Sequence, residues 1–181
     1  DSLPIALADL PKDIEGIDII EILIIDDGST DNTIEVAKKF GVHHIVSIPE
    51  NRGLANAYIQ GIDSCLKARA DVIVNTDADN QYNAADIEKL IKPIIENRAE
   101  IVIGARPINQ TEHFSYLKKK LQRIGSWVVR YASETDVADA PSGFRAVSRD
   151  AAIKLHVFNK YTYTLETIIQ AGQSGMRILS V

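Results

Sequence analysis

The chain has 181 residues, of which 45% are hydrophobic and 25% charged, and it carries a formal net charge of -5 at pH 7. This length and composition predict one soluble globular domain, and the acidic balance argues against a general nucleic-acid-binding protein. The single cysteine, Cys65, excludes an internal disulfide and a cysteine-based metal cluster, and the sequence has neither a secretory signal pattern nor an apolar run as long as a membrane span.

Apolar runs and amphipathic segments alternate through the first 106 residues. In chain order they predict a helix at 1–10, a strand at 19–26, a helix at 34–41, a strand at 44–48, a helix at 54–66, a strand at 72–77, a helix at 84–96 and a strand at 101–105. Strands that alternate with helices in this way predict an α/β fold with a mostly parallel sheet and helices on both faces.

This alternation ends after Arg106. A polar loop leads into a basic helix at about 115–132, an irregular segment at 136–148 and the first residues of another strand at 176–181. We expect one domain over 1–181, in which residues from about 107 onward bind the second substrate. The opening helix has no strand before it and the last strand only begins, so the sequence is expected to be truncated at both ends.

Two carboxylates, Asp77 and Asp79, follow the predicted strand at 72–77 with Ala78 between them. Parallel sheets bind ligands beyond the carboxyl ends of their strands, and alternate residues of an extended segment point the same way. The pattern therefore predicts a site for a hard divalent cation. An EF-hand loop is excluded, because Tyr82 occupies the position of its glycine. Two alternatives stay open, namely a haloacid dehalogenase-type phosphatase and a pair of acids that only solvate a loop.

A second apolar run ends in Asp26 and Asp27 before Gly28, which indicates either a second acidic edge of the same site or only a turn. The sequence has no glycine-rich loop of the P-loop or dinucleotide-binding type, so a phosphate would be met by a metal or by arginines. The candidate arginines are Arg52, Arg106 and Arg145. Asp139, in the irregular segment, is either a catalytic carboxylate or a turn cap.

Four of these motifs occur in the order and spacing of the family 2 glycosyltransferases with the GT-A fold. They are Asp26-Asp27-Gly-Ser-Thr-Asp31, Asn51-Arg-Gly53, Asp77-Ala-Asp79-Asn-Gln81 and Asp139-Ala-Pro-Ser-Gly-Phe-Arg145. Within that family the chain most resembles the polyprenol-phosphate sugar transferases, such as dolichyl-phosphate mannosyltransferase. The resemblance implies a Rossmann-like three-layer fold whose first strand is missing from this chain. Leu54 stands where the family often has lysine and Asn80 where this subgroup often has leucine, so the resemblance leaves the donor preference open.

The resemblance also implies roles for individual residues in an inverting transfer from a nucleotide-diphosphate sugar. The donor-binding residues would be Asp26, Asp27, Arg52, Gly53, Asp77 and Arg106. The ligands of Mg2+ or Mn2+ would be Asp77, Asp79 and Gln81. The catalytic residues would be Asp139 and Glu166, and the acceptor-binding residues Arg123, Ser126 and Arg145. For Glu166 the alternative is an acid on the surface of a helix.

The predicted helix at 115–132 combines an apolar stripe with a basic face that contains no acid. Such a helix can simply pack its stripe on the sheet and leave its lysines in water. The resemblance instead implies a polyprenyl phosphate acceptor, met at the cytoplasmic face of a membrane with an anionic surface. The alternatives are a transferase with a soluble or polysaccharide acceptor and, in a different class, a non-catalytic module that binds nucleotide sugars. No nucleic-acid partner is expected.

Overall fold

The computed structural model describes residues 2–79, 81–106 and 137–181. In chain order its helices and strands are α1 Leu3–Asp9, β1 Leu23–Asp27, α2 Thr33–Lys39, β2 His44–Ile48, α3 Leu54–Lys67, β3 Val72–Asn75, a 3-10 turn Ala84–Asp86, α4 Ile87–Ile95, β4 Ile101–Ile103, β5 Arg145–Ser148, α5 Arg149–Lys154, α6 Thr164–Gln173 and β6 Ile178–Ser180. No helix in these ranges is long and apolar enough to cross a membrane.

The strands form two sheets. β1 and β2 make a parallel pair, and the other four strands lie in the order β3-β5-β4-β6. In the larger sheet β4 and β6 are parallel, whereas β5 is antiparallel to both β3 and β4. The predicted α/β architecture is confirmed. The antiparallel β5 was not predicted, because its residues were assigned to the irregular segment.

Apolar side chains cover both faces of the four-stranded sheet. Along β4, Ile101 and Ile103 belong to the core that α5 and α6 close, while Val102 belongs to the opposite core beneath α4. Successive residues of a strand point to opposite faces, so three fully apolar residues serve both cores. The result is a helix, sheet and helix layering that fixes the ends of the strands in place.

The helix predicted at 84–96 is confirmed over Ile87–Ile95, where Ile87, Leu90 and Ile91 are buried at the spacing of one helical face. Its first turn is a 3-10 turn, and the side chain of Asn83 caps it by accepting from the Ala85 amide at 3.1 Å. The cap therefore starts α4 just after the acidic turn that contains Asp79.

Several element boundaries differ from the prediction. The strand predicted at 72–77 ends at Asn75, because the chain turns at residues 78–79, and the strand predicted at 19–26 begins only at Leu23. α5 was not predicted, although Ser148 is a recognisable N-cap whose hydroxyl accepts from the Ala151 amide. For α6 the sequence suggested only that Glu166 could lie on a helix, without bounds. Outside the described residues lie Asn80 and the helix predicted at 115–132, which contains Arg123 and Ser126.

Candidate functional site

The polar motifs gather at one edge of the larger sheet. Asn75 at the end of β3 and Ile103 at the end of β4 both pair with Arg145, the first residue of the antiparallel β5. Residues after β3, residues after β4 and residues before β5 must therefore meet at the same edge. This edge brings together the acidic turn, Arg106 and the segment that leads from Asp139 to Arg145.

Asp77 lies half-buried at this edge, with Asp79 more exposed beside it. Burial raises the pKa of Asp77 and the negative charge of Asp79 raises it further, whereas Arg106 and Arg145 act in the opposite direction. The Asp79 carboxylate accepts from the Gln81 amide at 3.1 Å, which fixes the turn. A carboxylate whose ionisation is disfavoured, with a second carboxylate beside it, forms a site that a cation would stabilise.

The donor set fits a divalent ion that is shared with a substrate. No cluster of three or more His, Cys, Asp or Glu side chains that could hold a metal is found within the described ranges. Mg2+ is commonly held by one or two carboxylates together with substrate phosphates and waters, rather than by a cage made only of protein groups. Asp77 and Asp79 satisfy that smaller requirement. For Gln81 the observed contact is made by its backbone amide.

Gly143 lets the backbone pass close to Asp77. A Cβ at this position would lie 3.2 Å from one carboxylate oxygen of Asp77 and 3.3 Å from the Tyr163 hydroxyl. The Gly143 carbonyl accepts from the Asn75 side chain at 2.8 Å, and the same amide group donates to the Tyr163 hydroxyl at 2.9 Å. Asn75, Gly143 and Tyr163 thus surround Asp77, and none of the three was predicted as a site residue.

A pair of stacked tyrosines packs behind the residues that surround Asp77. The rings of Tyr58 on α3 and Tyr163 lie 3.7 Å apart and are nearly parallel, and the Arg145 guanidinium lies 5.2 Å from the centre of the Tyr163 ring. Burial raises the pKa of Tyr163, so its hydroxyl stays neutral. Asn75 offered a weak signal as a polar residue that ends an apolar strand, but nothing in the sequence links Tyr58 to Tyr163.

Asp27 at the end of β1 organises a second part of the site. Its two carboxylate oxygens accept from the backbone amides of Arg52 and Gly53, both at 2.8 Å. The turn after β1 approaches this loop so closely that a Cβ at Gly28 would lie 2.7 Å from the Asn51 amide nitrogen. Gly28 also has a positive φ of 79°, so only glycine suits the position. Asp27 therefore holds the loop, and the Arg52 side chain stays exposed.

Asp26 points into the protein instead of toward a donor. It is buried, and its oxygens accept from the Ser29 amide at 3.1 Å and the Ser47 hydroxyl at 3.3 Å. Side chains at successive positions of a strand point to opposite faces, so Asp27 reaches the loop while Asp26 turns inward. This placement differs from the predicted donor-binding role of Asp26.

Asp139 and Arg106 form a bidentate ion pair with each other. The Arg106 Nε and Nη2 atoms donate to the two Asp139 oxygens at 2.7 and 3.1 Å, and the Arg106 amide adds a third contact at 3.3 Å. Asp139 is 0% exposed, and its hydrogen bond is the main reason that the pKa of Arg106 is raised. This differs from the predicted arrangement, in which Asp139 was an accessible base and Arg106 a donor ligand.

Glu166 has a structural contact that differs from its predicted catalytic role. Both of its carboxylate oxygens accept from the Phe158 amide at 3.1 Å, and one also accepts from the Asn159 amide at 3.0 Å. A carboxylate whose two oxygens are engaged by backbone amides is not free to approach a substrate. Glu166 therefore fixes the loop before α6.

Arg145 is an internal support, which differs from its predicted place at the acceptor. Its side chain is 1% exposed, and its terminal nitrogens donate to the Thr167 hydroxyl at 3.0 Å and to the Ser142 carbonyl. Burial lowers the pKa of Arg145, and its Nε is the one buried side-chain nitrogen without a partner among the residues that the structure describes. Arg145 thus ties the segment before β5 to α6.

An open cleft of about 700 Å3 lies beside the acidic turn. It is lined by Asp9 and Pro11 from the N-terminal region and by residues 81–85. The Ser2 hydroxyl donates to the Ala78 carbonyl at 2.9 Å, so the N-terminal region packs directly against the acidic turn. Of the predicted site residues, Gln81 lines this cleft.

Comparisons with known proteins place these features in a family context. The family model described as "Glycosyl transferase family 2" matches residues 2–161. A Methanococcus voltae UDP-N-acetylglucosamine--dolichyl-phosphate N-acetylglucosaminyltransferase is 33% identical, over 72% of this chain and 59% of the relative. The undecaprenyl-phosphate mannosyltransferase of Micrococcus luteus is 27% identical, over 100% of this chain and 76% of the relative. An uncharacterised Methanocaldococcus jannaschii protein is 34% identical, over 88% of this chain and 68% of the relative.

Among solved structures, the chain resembles glucosyl-3-phosphoglycerate synthase from Mycobacterium tuberculosis in complex with Mn2+, UDP-glucose and phosphoglyceric acid. The TM-score is 0.75 at 18% identity, over 99% of this chain and 64% of that chain. At this identity the likeness concerns the fold alone. The chain also spans a little less than two thirds of that protein's length.

Proposed function

This chain belongs to glycosyl transferase family 2, and on that premise we propose that it transfers a sugar from a nucleotide-diphosphate donor to a polyprenyl phosphate, with inversion at the anomeric carbon. The observation that carries the proposal is the half-buried pair Asp77 and Asp79 at the sheet edge where β3, β4 and β5 meet. The diphosphate of the donor is negatively charged and needs a cation beside it. This carboxylate pair would bind that cation as a divalent metal ion.

Asp77 and Asp79 would hold Mg2+ or Mn2+, and the phosphates of the donor would complete the coordination. When bound, the ion would neutralise the negative charge that develops on the leaving nucleoside diphosphate. Asn75, Gly143 and Tyr163 hold the surroundings of Asp77 by hydrogen bonds and close packing. Their role is to hold the Asp77 carboxylate at the sheet edge, where Gly143 leaves the space beside it free of a side chain.

The loop of Asn51, Arg52 and Gly53 would form another part of the donor site. Asp27 holds its backbone through two hydrogen bonds of 2.8 Å, which leaves the Arg52 side chain exposed and available to a phosphate. Asp27 would therefore act through the loop, as a positioning residue. This differs from a role in which Asp27 contacts the base or ribose directly.

The state of the candidate bases favours a phosphate as acceptor. An alcohol needs a carboxylate to take its proton, but Asp139 is paired with Arg106 and Glu166 accepts backbone amides. A phosphate monoester has a second pKa near 6, so its oxygen is already mostly anionic at neutral pH. Such a nucleophile needs positioning but little proton removal. A polyprenyl phosphate therefore suits these residues better than a soluble or polysaccharide alcohol does.

A polyprenyl phosphate is anchored in a bilayer by its hydrocarbon chain, so the enzyme would work at a membrane surface. Relatives named for dolichyl phosphate and undecaprenyl phosphate support that setting. We place the reaction at the cytoplasmic face. Arg123 and Ser126, proposed for the acceptor side, belong to the part of the chain outside the described ranges.

The proposal is tested first by calorimetric titration of UDP and GDP with and without Mg2+ or Mn2+. We expect binding only with the metal, and we expect Asp79→Ala to abolish it while the protein stays folded. Asp71→Ala is the matched control, because Asp71 is an exposed acid that directly precedes the other end of β3. Unchanged binding in Asp79→Ala would refute the metal site.

A second assay separates the acceptor classes. UDP-, GDP- and dTDP-sugars are offered with a short polyprenyl phosphate or with the corresponding alcohol, and the product is identified by mass and anomeric configuration. Transfer to the phosphate is the expected result. Transfer to the alcohol alone would refute the acceptor assignment, metal-dependent binding without transfer would indicate a non-catalytic module, and phosphate release without nucleotide preference would indicate a phosphatase.

A further inference from the structure

The loop at residues 156–161 presents two large aromatic side chains to solvent. Phe158 is 79% exposed and Tyr161 is 88% exposed. Ile153, at the end of α5 just before the loop, is exposed as well. Single exposed apolar residues are ordinary on protein surfaces, but several within one short segment indicate an interaction surface.

The rings are exposed even though hydrogen bonds hold the loop in place. Glu166 accepts from the amides of Phe158 and Asn159, and Gln170 accepts from the His156 amide at 3.0 Å. Inside the loop, the Asn159 side chain accepts from the Tyr161 amide at 2.8 Å. Polar side chains of α6 are thus used to hold a backbone whose aromatic side chains are left in water. A surface that is ordered before binding loses less entropy when a partner binds.

Two exposed lysines flank the rings, on a chain whose net charge is -5. Residues 151–165 include Lys154 and Lys160, both exposed, together with His156 and no acidic residue. The neighbouring acids are Asp150, at the start of α5, and Glu166, whose oxygens are occupied by amides. The loop at 156–161 also packs against the loop of Asn51, Arg52 and Gly53, since a Cβ at Gly53 would lie 3.5 Å from the Lys160 carbonyl oxygen.

We propose that Phe158 and Tyr161, flanked by Lys154 and Lys160, form a docking surface for an anionic lipid bilayer. Aromatic rings sit at the level of the lipid headgroups, and lysines beside them are attracted by anionic lipids. Two rings offer too little area for a stable protein interface, which buries about 800 Å2 on each partner. The inference rests on the proposed function only in that a lipid acceptor explains why docking is useful.

The position of the surface has a consequence for catalysis. The docking loop contacts Gly53 on one side, and two residues further on Tyr163 reaches Asn75 beside Asp77. A bilayer that receives Phe158 and Tyr161 would therefore lie next to the edge where the donor is proposed to bind. A phosphate headgroup at that surface could reach the site without leaving the membrane.

The test is co-sedimentation of the full chain with phosphatidylcholine vesicles that contain or lack phosphatidylglycerol, with no donor or acceptor present. The wild type is expected to bind the anionic vesicles, and Phe158→Ser with Tyr161→Ser should lower the partition coefficient at least about tenfold. Lys154→Gln and Lys160→Gln should each lower it about fivefold, with added salt removing the difference. The matched control is Ile19→Ser with Phe40→Ser, which removes two exposed apolar side chains elsewhere.

Thermal unfolding by circular dichroism verifies that each variant is folded. The proposal is overturned if the wild type does not sediment, if the aromatic variant sediments like the wild type, or if the control pair loses binding equally. A dimer in size-exclusion chromatography that the aromatic variant abolishes would also overturn it, because the surface would then bind a second copy. Vesicle binding without metal-dependent nucleotide binding would refute the proposed function and leave the docking surface intact.

Discussion

Replacing Asp139 by asparagine separates the two roles that a buried carboxylate can have in this site. The substitution removes the negative charge but keeps the shape, so Arg106 loses a bidentate ion pair with contacts of 2.7 and 3.1 Å. Breaking a fully buried pair costs roughly 3–5 kcal/mol. Because the Arg106 side chain is 37% exposed and can turn toward water, we expect a smaller loss of about 1–3 kcal/mol in unfolding free energy.

The effect on the reaction distinguishes positioning from base catalysis. If Asp139 only positions Arg106 and the segment before β5, the transfer rate to polyprenyl phosphate should fall by less than the roughly 100-fold to 10,000-fold expected for a true general base. The assay is single-turnover transfer from pH 6 to 9, with donor affinity and urea unfolding measured on the same protein. Arg106→Gln and the double variant complete the cycle, and the pair should be non-additive.

A larger loss would refute this reasoning if donor affinity and folding were intact. The same conclusion would follow if the wild-type rate rose with pH along a single titration that Asp139→Asn removed. In that case the ion pair would have to open during the reaction, and an alcohol acceptor would again be plausible.

Two further predictions concern Asp77. Gly143→Ala places a Cβ 3.2 Å from the Asp77 carboxylate and should weaken metal-dependent nucleotide binding about tenfold in calorimetry. The control is Gly61→Ala on α3, where the nearest atom to the new Cβ is at 3.4 Å and binding should stay unchanged. Burial and Asp79 raise the pKa of Asp77, so the metal-free native state keeps the Asp77 proton to a higher pH than the unfolded chain does. The free energy of unfolding contributed by Asp77 therefore falls as the pH rises from about 4 through the raised pKa. Asp79→Asn should reduce that slope in urea unfolding, and an unchanged slope would contradict the assignment.

Local patterns in the sequence were sufficient for much of the framework. The apolar run at 44–48 lies between turn residues and became β2 with those bounds, and the helical period at 84–96 became α4 after a short capped turn. The acidic turn after β3 was found for the same reason, since carboxylates that directly follow a buried strand must leave the core at the end of that strand. Such features depend on neighbours within one element.

Contacts between distant residues could not be predicted in this way. Arg106 and Asp139 each looked like a ligand or catalytic group, and only the fold shows that they neutralise one another. Arg145 was predicted to bind the acceptor, yet its partners are carbonyls and a hydroxyl that the sequence does not distinguish from others. The stacking of Tyr58 on Tyr163 joins α3 to the start of α6 through side-chain shape alone.

The Arg106–Asp139 ion pair also constrains how this chain can change by single substitutions. The two residues are 33 positions apart, and two further contacts join the same segments, since the Gly104 amide donates to the Phe144 carbonyl at 2.9 Å and the Ser142 hydroxyl donates to the Gly104 carbonyl at 2.7 Å. Losing the arginine alone would leave a carboxylate that is 0% exposed without its partner. The two positions are therefore expected to change together, because a change at either one alone costs stability.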